Sequence, residues 1–400
     1  MQFRALSALW LCLAPSLAAQ QSPGTDLTPD QHGSMREALG QVGSRLDDWI
    51  DRFRLSGFVA ARAFDTERGG ARPDGALGVQ AATLFVDVAV KDVATAFLEL
   101  RYDYFAEAGN NDAGIGEAYI TLDNAFPIDH DHGVHVRVGR FDLPFGEYYT
   151  QEDPDRNRLI GFPAALPYRW DEGIAAFGDF GNLGFIAALT DGTYSRNSQS
   201  GVGPAATLRL HARPAGSLYL SASGLHIHEA AESALCFGGS VITPVTGGSS
   251  GSSPSATVRS TLGSLDLVWE PGTSYRLQAS LGGGRIDDAV DTFDREIVWF
   301  MVEPSWTFAP KWTATVRYSG AGTFSDDEGF SFEGRPYANG SSYGFDLSSL
   351  QRLQLGLGLQ LAPGLVAKAE LGWDRLMAIE GSGLRDDTRM FTAAELVLTF

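Results

Sequence analysis

Apolar and polar residues alternate with a period of two along most of this chain. In the segment 94–104, Leu98 and Leu100 fall on one face of an extended strand, and Glu99 and Arg101 fall on the other. Successive side chains of a β-strand point to opposite sides of its sheet. The pattern therefore predicts a β-rich chain whose sheet has one apolar face and one charged face.

The alternation predicts sixteen strands. They are 53–65, 79–90, 93–105, 114–122, 133–142, 169–180, 182–191, 203–213, 216–228, 257–270, 273–285, 295–309, 311–320, 347–362, 364–377 and 388–400. Short connections alternate with long ones, and 123–132 is the exception in the short series. The long connections are 66–78, 106–113, 143–168, 192–202, 229–256, 286–294, 321–346 and 378–387.

Tight turns at one rim and long loops at the other are typical of transmembrane barrels with an even number of strands. Hydrocarbon offers no hydrogen-bond partner, so a sheet that crosses a membrane must close on itself. We therefore predict an all-β fold, a 16-stranded antiparallel transmembrane β-barrel. A secreted, soluble β-rich binding protein is the alternative, because β-sandwiches also alternate apolar and polar residues.

The N-terminus has the features of an exported protein. Residues 1–4 carry one positive charge, and the apolar run 5–13 is too short to span a bilayer as a helix. We predict a signal peptide over 1–19 and a periplasmic segment over 20–52, in which three- and four-residue spacings indicate a short helix. The barrel then covers 53–400.

The composition excludes several other classes. A net charge of -19 argues against nucleic-acid binding, which needs a basic surface. An acidic surface can contact lipopolysaccharide where divalent cations bridge the two, so lipopolysaccharide and outer-membrane lipid are the expected surroundings. Cys236 is the one cysteine outside the predicted signal peptide, so no disulfide framework is expected.

The chain resembles Gram-negative outer-membrane porins, and in particular the phosphate-selective porin O/P family. The resemblance rests on the signal peptide, the short helical lead, the sixteen strands and the final strand that ends at Phe400. It also rests on the passage of the fifth strand into Pro144-Phe145-Gly146 and on the strand start at Arg169-Trp170. It implies a homotrimer that passes small hydrophilic solutes or inorganic anions through a water-filled channel.

The resemblance also implies that the loop 143–168 folds into the lumen and narrows it. Four prolines stiffen this loop, and its charged residues have both signs. Opposed charges at a constriction create a transverse field that sorts solutes by charge and dipole. The candidate constriction residues are Glu147, Glu152, Asp153, Asp155, Arg156 and Arg158. A loop that lies on the outer surface with solvated charges is the alternative.

The period-two pattern directs both signs of charge toward the lumen. The candidate pore-lining residues are Arg101, Arg137, Arg209, Arg213, Arg276, Arg317, Lys368, Glu99, Asp103 and Glu117. A column of guanidinium groups would concentrate anions, which makes a preference for anions or phosphate a hypothesis. The acidic residues on the same face oppose that preference.

Two further chemistries are weighed from the sequence. His130, His132 and His135 have spacings that could hold zinc or copper, although a turn rich in His and Asp is more often merely polar. A barrel enzyme related to outer-membrane phospholipases or proteases would use a Ser-His or Asp-His constellation, and no serine here lies within a His-containing motif. We expect no catalytic residues, metal or cofactor.

Overall fold

A computed structural model describes most of the 400-residue chain. The described residues are 52–66, 77–91, 93–105, 110–128, 133–151, 153–164, 170–192, 204–231, 236–237, 240–241, 257–288, 295–324, 347–378, 380 and 386–400. The predicted signal peptide 1–19 and the predicted segment 20–52, apart from Arg52, lie outside them. Among the described residues, no helix is long and apolar enough to cross a membrane.

Sixteen antiparallel strands form one closed barrel, which confirms the predicted fold. In chain order they are β1 Arg52–Thr66, β2 Leu77–Val90, β3 Ala94–Phe105, β4 Asn110–Pro127, β5 Gly133–Asp142, β6 Trp170–Phe180, β7 Leu183–Thr190, β8 Ala205–Ala215, β9 Leu218–Ala231, β10 Thr257–Trp269, β11 Tyr275–Asp288, β12 Arg295–Ala309, β13 Trp312–Thr323, β14 Leu347–Ala362, β15 Leu365–Ala378 and β16 Asp387–Thr399. A short 3-10 helix, Tyr148–Gln151, follows β5, and Cys236–Phe237 pairs with Ser240–Val241 outside the barrel sheet.

The first and last strands pair and leave no open edge. The register runs from Phe58 opposite Thr399 to Thr66 opposite Phe391. Beyond it, Gly57 N donates to Phe400 O and Phe400 N donates to Gly57 O, each at 3.0 Å. Each backbone group of a membrane-crossing strand needs such a partner, so this pairing completes the barrel.

The outer and inner faces of the barrel differ in polarity as the alternation predicts. In β14, Leu353, Leu355 and Leu357 are exposed on the outside, whereas Arg352 and Gln354 point inward and are buried. The same arrangement holds in β16, where Leu396 and Leu398 alternate with Glu395 and Val397. An apolar belt thus surrounds a polar interior, which is the architecture of an outer-membrane, multi-pass barrel.

Aromatic residues near the rim of the short turns belong to this belt. Trp306 and Phe308 of β12 are exposed with their ring centroids 5.6 Å apart, and Trp269 of β10 packs edge-on against Tyr275 of β11 at the same separation. Amphipathic rings suit the headgroup zone of a bilayer. These positions near the strand ends are typical of an interfacial girdle.

The structure corrects the predicted strand ends at β4. This strand was expected over 114–122 and extends from Asn110 to Pro127. The predicted long connection 106–113 is therefore reduced to 106–109, and the exceptional connection 123–132 is reduced to 128–132. At the C-terminal end the side-chain pattern is lost because the register with β5 shifts between Leu122 and Phe126; at the N-terminal end Asn110–Ala113 pair with β3 without an apolar pattern.

Candidate functional site

The segment after β5 turns into the barrel instead of running over its rim. Leu143 and Phe145 are buried, and the Phe145 ring lies 6.2 Å from the inward-facing Trp299 of β12. Gly146 has φ +72°, a conformation that favours glycine, and its N–H donates to Ser223 Oγ of β9 at 2.9 Å. The Pro-Phe-Gly sequence therefore anchors the loop to the opposite inner wall.

A buried apolar cluster holds this end of the loop. Its members come from the loop and from the inner faces of β8 to β15, and all of them are buried. They are Leu143, Phe145, Ala164, Ala205, Leu225, Ile227, Leu262, Ile286, Ile297, Trp299, Leu350 and Leu376. Removing this area from water stabilises the inserted loop.

The middle of the loop is fixed by buried charged groups of the wall. Arg317 of β13 is 0% exposed and donates to Gly161 O at 2.8 Å and to Asn157 Oδ1 at 2.9 Å. The same guanidinium donates to Glu303 Oε2 of β12 at 2.6 Å. On β15, the Glu370 carboxylate accepts from the N–H groups of Ile160 and Gly161. Each buried charge thus has a charged or hydrogen-bonding partner, as burial requires.

Two further basic side chains complete the anchoring. Lys368 of β15 donates to Asn157 O at 2.7 Å and to Glu395 Oε1 at 3.0 Å. Arg352 of β14 forms a bidentate pair with Asp374 and donates to Phe162 O at 3.0 Å. Anchors therefore follow one another from β12 to β16 along a single side of the barrel.

Close contact between the loop and β14 depends on a glycine. A Cβ at Gly356 would lie 2.2 Å from Leu159 Cδ2, a distance that side chains do not tolerate. The missing side chain leaves room for Leu159, which is fully buried against the wall. Gly356 thus lets the loop lie flat on the inner face of β14.

The free space lies on the opposite side, against the inner face of β2 to β7. A cavity of about 310 Å³ separates this wall from the loop. Its lining is Phe85, Phe97, Glu99, Arg101, Glu117, Arg137, Phe141, Asp142, Pro144, Thr150, Asp153, Arg156, Trp170, Ala175, Phe177 and Ile186. Loop and wall thus both contribute charged groups to the remaining space.

The predicted loop residues occupy different environments. Asp153 and Arg156 line the cavity, and Asp153 lies 3.7 Å from Arg101 of β3. Asp155 is exposed and Arg158 is half-buried. Glu152 lies outside the described residues.

Glu147 forms a charged contact at the start of the loop. Its carboxylate accepts a hydrogen bond from Arg209 of β8, which also contacts the hydroxyl of Tyr219 on β9. Burial raises the pKa of the Glu147 carboxyl above its ordinary value, and the positive charge of Arg209 opposes this shift. Glu147 therefore sits where a change of protonation would alter the charge of the inner wall.

The predicted pore-lining residues divide into three groups. Glu99, Arg101, Glu117 and Arg137 line the cavity. Arg209, Arg276, Arg317 and Lys368 point inward but are buried, the last two directly under the loop; Arg276 lies 3.0 Å from Glu270 and 3.8 Å from Glu303. Arg213 is exposed near the end of β8, over the ring of Tyr219, and the side chain of Asp103 lies outside the described residues.

Some inward-facing residues were not singled out from the sequence. Arg352 and Arg62 are buried, and Arg62 faces Glu395 across the closing pair of strands. The aromatic residues Phe85 and Phe97 were missed as well, although Phe97 shares the face of Glu99 and Arg101 in the alternation. The parity of the strands could have identified all of them.

The histidine cluster is only partly within the described residues. His130 and His132 lie outside them. His135 Nδ1 is 3.3 Å from Asp123 Oδ1, and its ring stacks on Phe177 with centroids 5.1 Å apart. Within the described ranges, no three His, Cys, Asp or Glu side chains are grouped as metal ligands would be. Metal binding by this cluster stays a prediction.

Comparison with known proteins shows similarity at the level of fold. No family model and no curated protein sequence matches the chain. Solved outer-membrane barrels match it over 87% of its length. OmpT, an outer membrane protein of Vibrio cholerae, has a TM-score of 0.58 at 11% identity, and the match covers 97% of that chain. The chain has the outer-membrane porin fold.

Two other solved structures support the same conclusion. The outer membrane channel DcaP of Acinetobacter baumannii gives a TM-score of 0.57 at 12% identity, with 87% of this chain and 97% of that one covered. An anion-selective porin from Comamonas acidovorans gives 0.55 at 12% identity, with 87% and 99% covered. At such identities the porin fold is shared, while solute preference has to be argued from this chain's own residues.

Proposed function

We propose that this protein is an outer-membrane porin that lets small hydrophilic solutes and ions diffuse passively through a water-filled channel. The observation that carries the proposal is the loop anchored inside the barrel. The loop is held against β12 to β16 by buried contacts and occupies that side of the lumen. A charged cavity remains on the other side. A barrel with such a loop is suited to restrict solutes by size and charge.

Charges at the loop support its role as a constriction. Asp153 and Arg156 project from the loop toward a wall that carries Glu99, Arg101 and Arg137. Acidic and basic groups thus lie on both sides of the cavity. A small polar solute that passes between them experiences a local field that depends on its charge and dipole.

A preference for anions or phosphate, and membership of the phosphate-selective family, is the finer form of the proposal. The guanidinium groups of Arg101, Arg137 and Arg156 at the cavity support it, and one protein with this fold is described as an anion-selective porin. The cavity lining itself carries four carboxylates and three guanidinium groups. We therefore expect weak selectivity, which a reversal potential under a KCl gradient measures directly.

Assembly and surroundings are part of the same proposal. We infer export by the predicted signal peptide 1–19. We also infer a homotrimer, because OmpT, an outer membrane protein of Vibrio cholerae with this fold, has a trimer form. Lipopolysaccharide, bridged by divalent cations to the acidic surface, is the expected outer-leaflet neighbour. Cross-linking of the purified protein in detergent would reveal the number of subunits.

Single-channel conductance in planar bilayers tests the proposal. The wild type should give discrete, ohmic steps, and deletion of 147–162 should enlarge them because the loop no longer occupies the lumen. Deletion of 247–255, a Ser/Gly-rich stretch of another connection, is the matched control and should leave the steps unchanged. Unchanged steps in the folded 147–162 deletion would refute the constriction role.

A second variant avoids the buried charges that this deletion would uncover. The double substitution Asp153→Asn and Arg156→Gln keeps the anchors of the loop and removes its charges from the cavity. The ion selectivity should change while the size of the steps stays similar. A reversal potential equal to that of the wild type would contradict the transverse field.

An enzymatic barrel is the alternative from a different class. His211 Nε2 and Asp179 Oδ1 lie 2.8 Å apart near the rim of the short turns, a spacing that an Asp-His constellation would also show. Swelling of proteoliposomes by sugars should be the same for wild type and for His211→Ala if the protein is a passive channel. Swelling that depends on this histidine would favour the alternative.

A further inference from the structure

A row of aromatic rings crosses the inner wall of the first strands. Phe58 of β1 lies 6.2 Å from Phe85 of β2, Phe85 lies 5.9 Å from Phe97 of β3, and Phe97 lies 5.1 Å from Tyr119 of β4, measured between ring centroids. The register explains the last contact, because Phe97 and Tyr119 are directly opposed across the strand pair. We call Phe58, Phe85, Phe97 and Tyr119 the aromatic row.

Only part of the aromatic row belongs to the packed interior of the barrel. Phe58 is 0% exposed and belongs to a buried cluster, as interior packing requires. Phe85 and Phe97, in contrast, are only partly buried and line the cavity beside the loop, as Phe177 of β6 does. Aromatic rings of the wall therefore line the cavity between the wall and the loop.

Charged groups lie next to these rings. The Arg137 guanidinium is 4.1 Å from the centroid of Tyr119 and 5.2 Å from that of Phe177. Arg101 stacks over Trp170 at 4.6 Å on the side of the loop. Such cation–π contacts hold both guanidinium groups beside the aromatic rings of the cavity.

Several polar atoms of this cavity are buried and form no hydrogen bond with the described residues. They are Arg137 Nε, Glu99 Oε1 and Asp153 Oδ1, although the two carboxylates lie 3.2 and 3.7 Å from Arg101. A buried polar atom without a hydrogen bond costs free energy, and water or a solute in the cavity can supply one to each of these atoms. Both donors and acceptors are needed here, and a hydroxyl group provides both.

From these observations we propose that the cavity is a binding site for a neutral sugar ring on its way through the channel. The C–H face of a sugar ring is apolar and fits the exposed aromatic faces, while its hydroxyls fit the carboxylates and guanidinium groups around them. This inference rests on the proposed porin function and names its solute class.

Charge argues for a neutral solute over an aromatic anion. The lining holds Glu99, Glu117, Asp142 and Asp153 against Arg101, Arg137 and Arg156. A carboxylate ligand would meet repulsion from four like charges, and a cation would meet three. The volume of about 310 Å³ is at the lower end of the range for small-molecule sites, roughly 300–1,000 Å³, and suits one or two sugar rings.

Block of the ion current by maltose tests the proposal. Maltose added to one side of a bilayer that contains single wild-type channels should reduce the current in a saturable way. Sorbitol, which has hydroxyls but no ring, should block less, and so should benzoate. In Phe97→Leu the half-blocking concentration should rise roughly two- to tenfold, because a flat ring face is lost while apolar volume is kept.

Phe308→Leu, on the outer face of β12, is the matched control, and maltose should block this variant at the same concentration as the wild type. Phe177→Leu provides a second test should Phe97→Leu not assemble. Three results would overturn the sugar site. They are maltose block of the folded Phe97→Leu and Phe177→Leu variants equal to that of the wild type, no maltose block of a conducting wild-type channel, and stronger block by benzoate than by maltose.

Calorimetric titration of the detergent-solubilised protein with maltose separates the two proposals. A protein that binds maltose but does not conduct would overturn the porin function and leave the site. A protein that conducts but neither binds maltose nor is blocked by it would overturn the site alone.

Discussion

At the scale of single residues, the inner wall depends on buried charges that have partners. Arg317 joins the wall to the loop through Gly161 and Asn157 and neutralises Glu303. Burial alone would disfavour each of these charges, and the ion pair and hydrogen bonds offset that cost. Removing one partner is therefore far more harmful than removing both.

We predict that Arg317→Met destabilises the folded barrel by about 3–5 kcal/mol, because the buried Glu303 loses its closest charged partner and keeps the longer ion pair with Arg276 at 3.8 Å. The measurement is the free energy of unfolding from denaturant titration in lipid vesicles. Arg213→Met removes an exposed arginine and serves as control. Adding Glu303→Gln to Arg317→Met should recover part of the loss; no recovery would show that the ion pair is not responsible.

Protonation of Glu147 should change ion selectivity with pH. Its pKa is raised by burial, so it gains its proton at a higher pH than an ordinary carboxyl. Arg209 then loses its counter-charge, Arg276 adds positive charge nearby, and the negative charge of Asp266 opposes both. The inner wall becomes more positive as pH falls, and anions should permeate more readily.

Reversal potentials measured between about pH 7 and about pH 5 test this effect. Glu147→Gln should show the more anion-permeable value already at neutral pH and a smaller change with pH. Glu172→Gln removes an exposed carboxylate near Arg140 and is the control. The reversal potential of this variant should change with pH as that of the wild type does. Identical pH profiles for wild type and Glu147→Gln would rule out this residue as the origin.

At the scale of elements, the loop and the inner face of β14 fit because one position has no side chain. We predict that Gly356→Leu displaces Leu159 from the wall and increases both conductance and current noise, since the loop is no longer held flat. Gly358→Leu is the matched control, because a Cβ there has its nearest neighbour, Thr313 O, at 3.8 Å. Equal conductance and noise in the two variants would contradict this account of how the loop lies on β14.

The alternation in β14 also makes a prediction about depth in the membrane. Leu355 lies at the middle of the outer face and Leu361 near its end. Arginine on the lipid face costs about 2–4 kcal/mol at the bilayer midplane and about 0–1 kcal/mol near the interface. Leu355→Arg should therefore lower the free energy of unfolding in vesicles much more than Leu361→Arg. Equal losses of unfolding free energy would show that Leu355 does not lie deeper in the bilayer than Leu361.

The sequence predicted the elements far better than the site. β5, β12 and β14 have the predicted bounds, and in β14 leucines alternate with polar residues or glycine from Leu353 to Leu361. β4 was predicted too short, since Asn110–Ala113 pair through the backbone without an apolar pattern. The parity of the strands directed Arg317 and Arg137 inward; in the structure Arg317 is buried in the interior and Arg137 lines the cavity. Which of them lies under the loop and which faces the cavity depends on the path of residues 143–164, and no local pattern encodes that path.

At the scale of the whole molecule, the barrel closes only when its last strand, β16, pairs with its first strand, β1. Phe400 is 61% exposed on the outside, and its backbone N–H and C=O both pair with Gly57. An aromatic ring at this position suits the interfacial zone, whereas a carboxylate would oppose insertion of the strand end. Closure of the sheet and placement in the membrane thus meet at one residue.

We predict that Phe400→Asp lowers the yield of assembled barrels while the channels that do assemble keep the wild-type conductance. The residue lies at the rim, on the outer face and away from the cavity, so assembly and permeation should separate. Heat-modifiable mobility in gels measures the yield, and single-channel steps measure the permeation. Phe308→Asp, an exposed aromatic position of the same belt inside the chain, should reduce the yield much less, because β12 already has paired neighbours on both sides. Equal yields for the two variants would show that a charge in the belt, and not the closing strand, limits assembly.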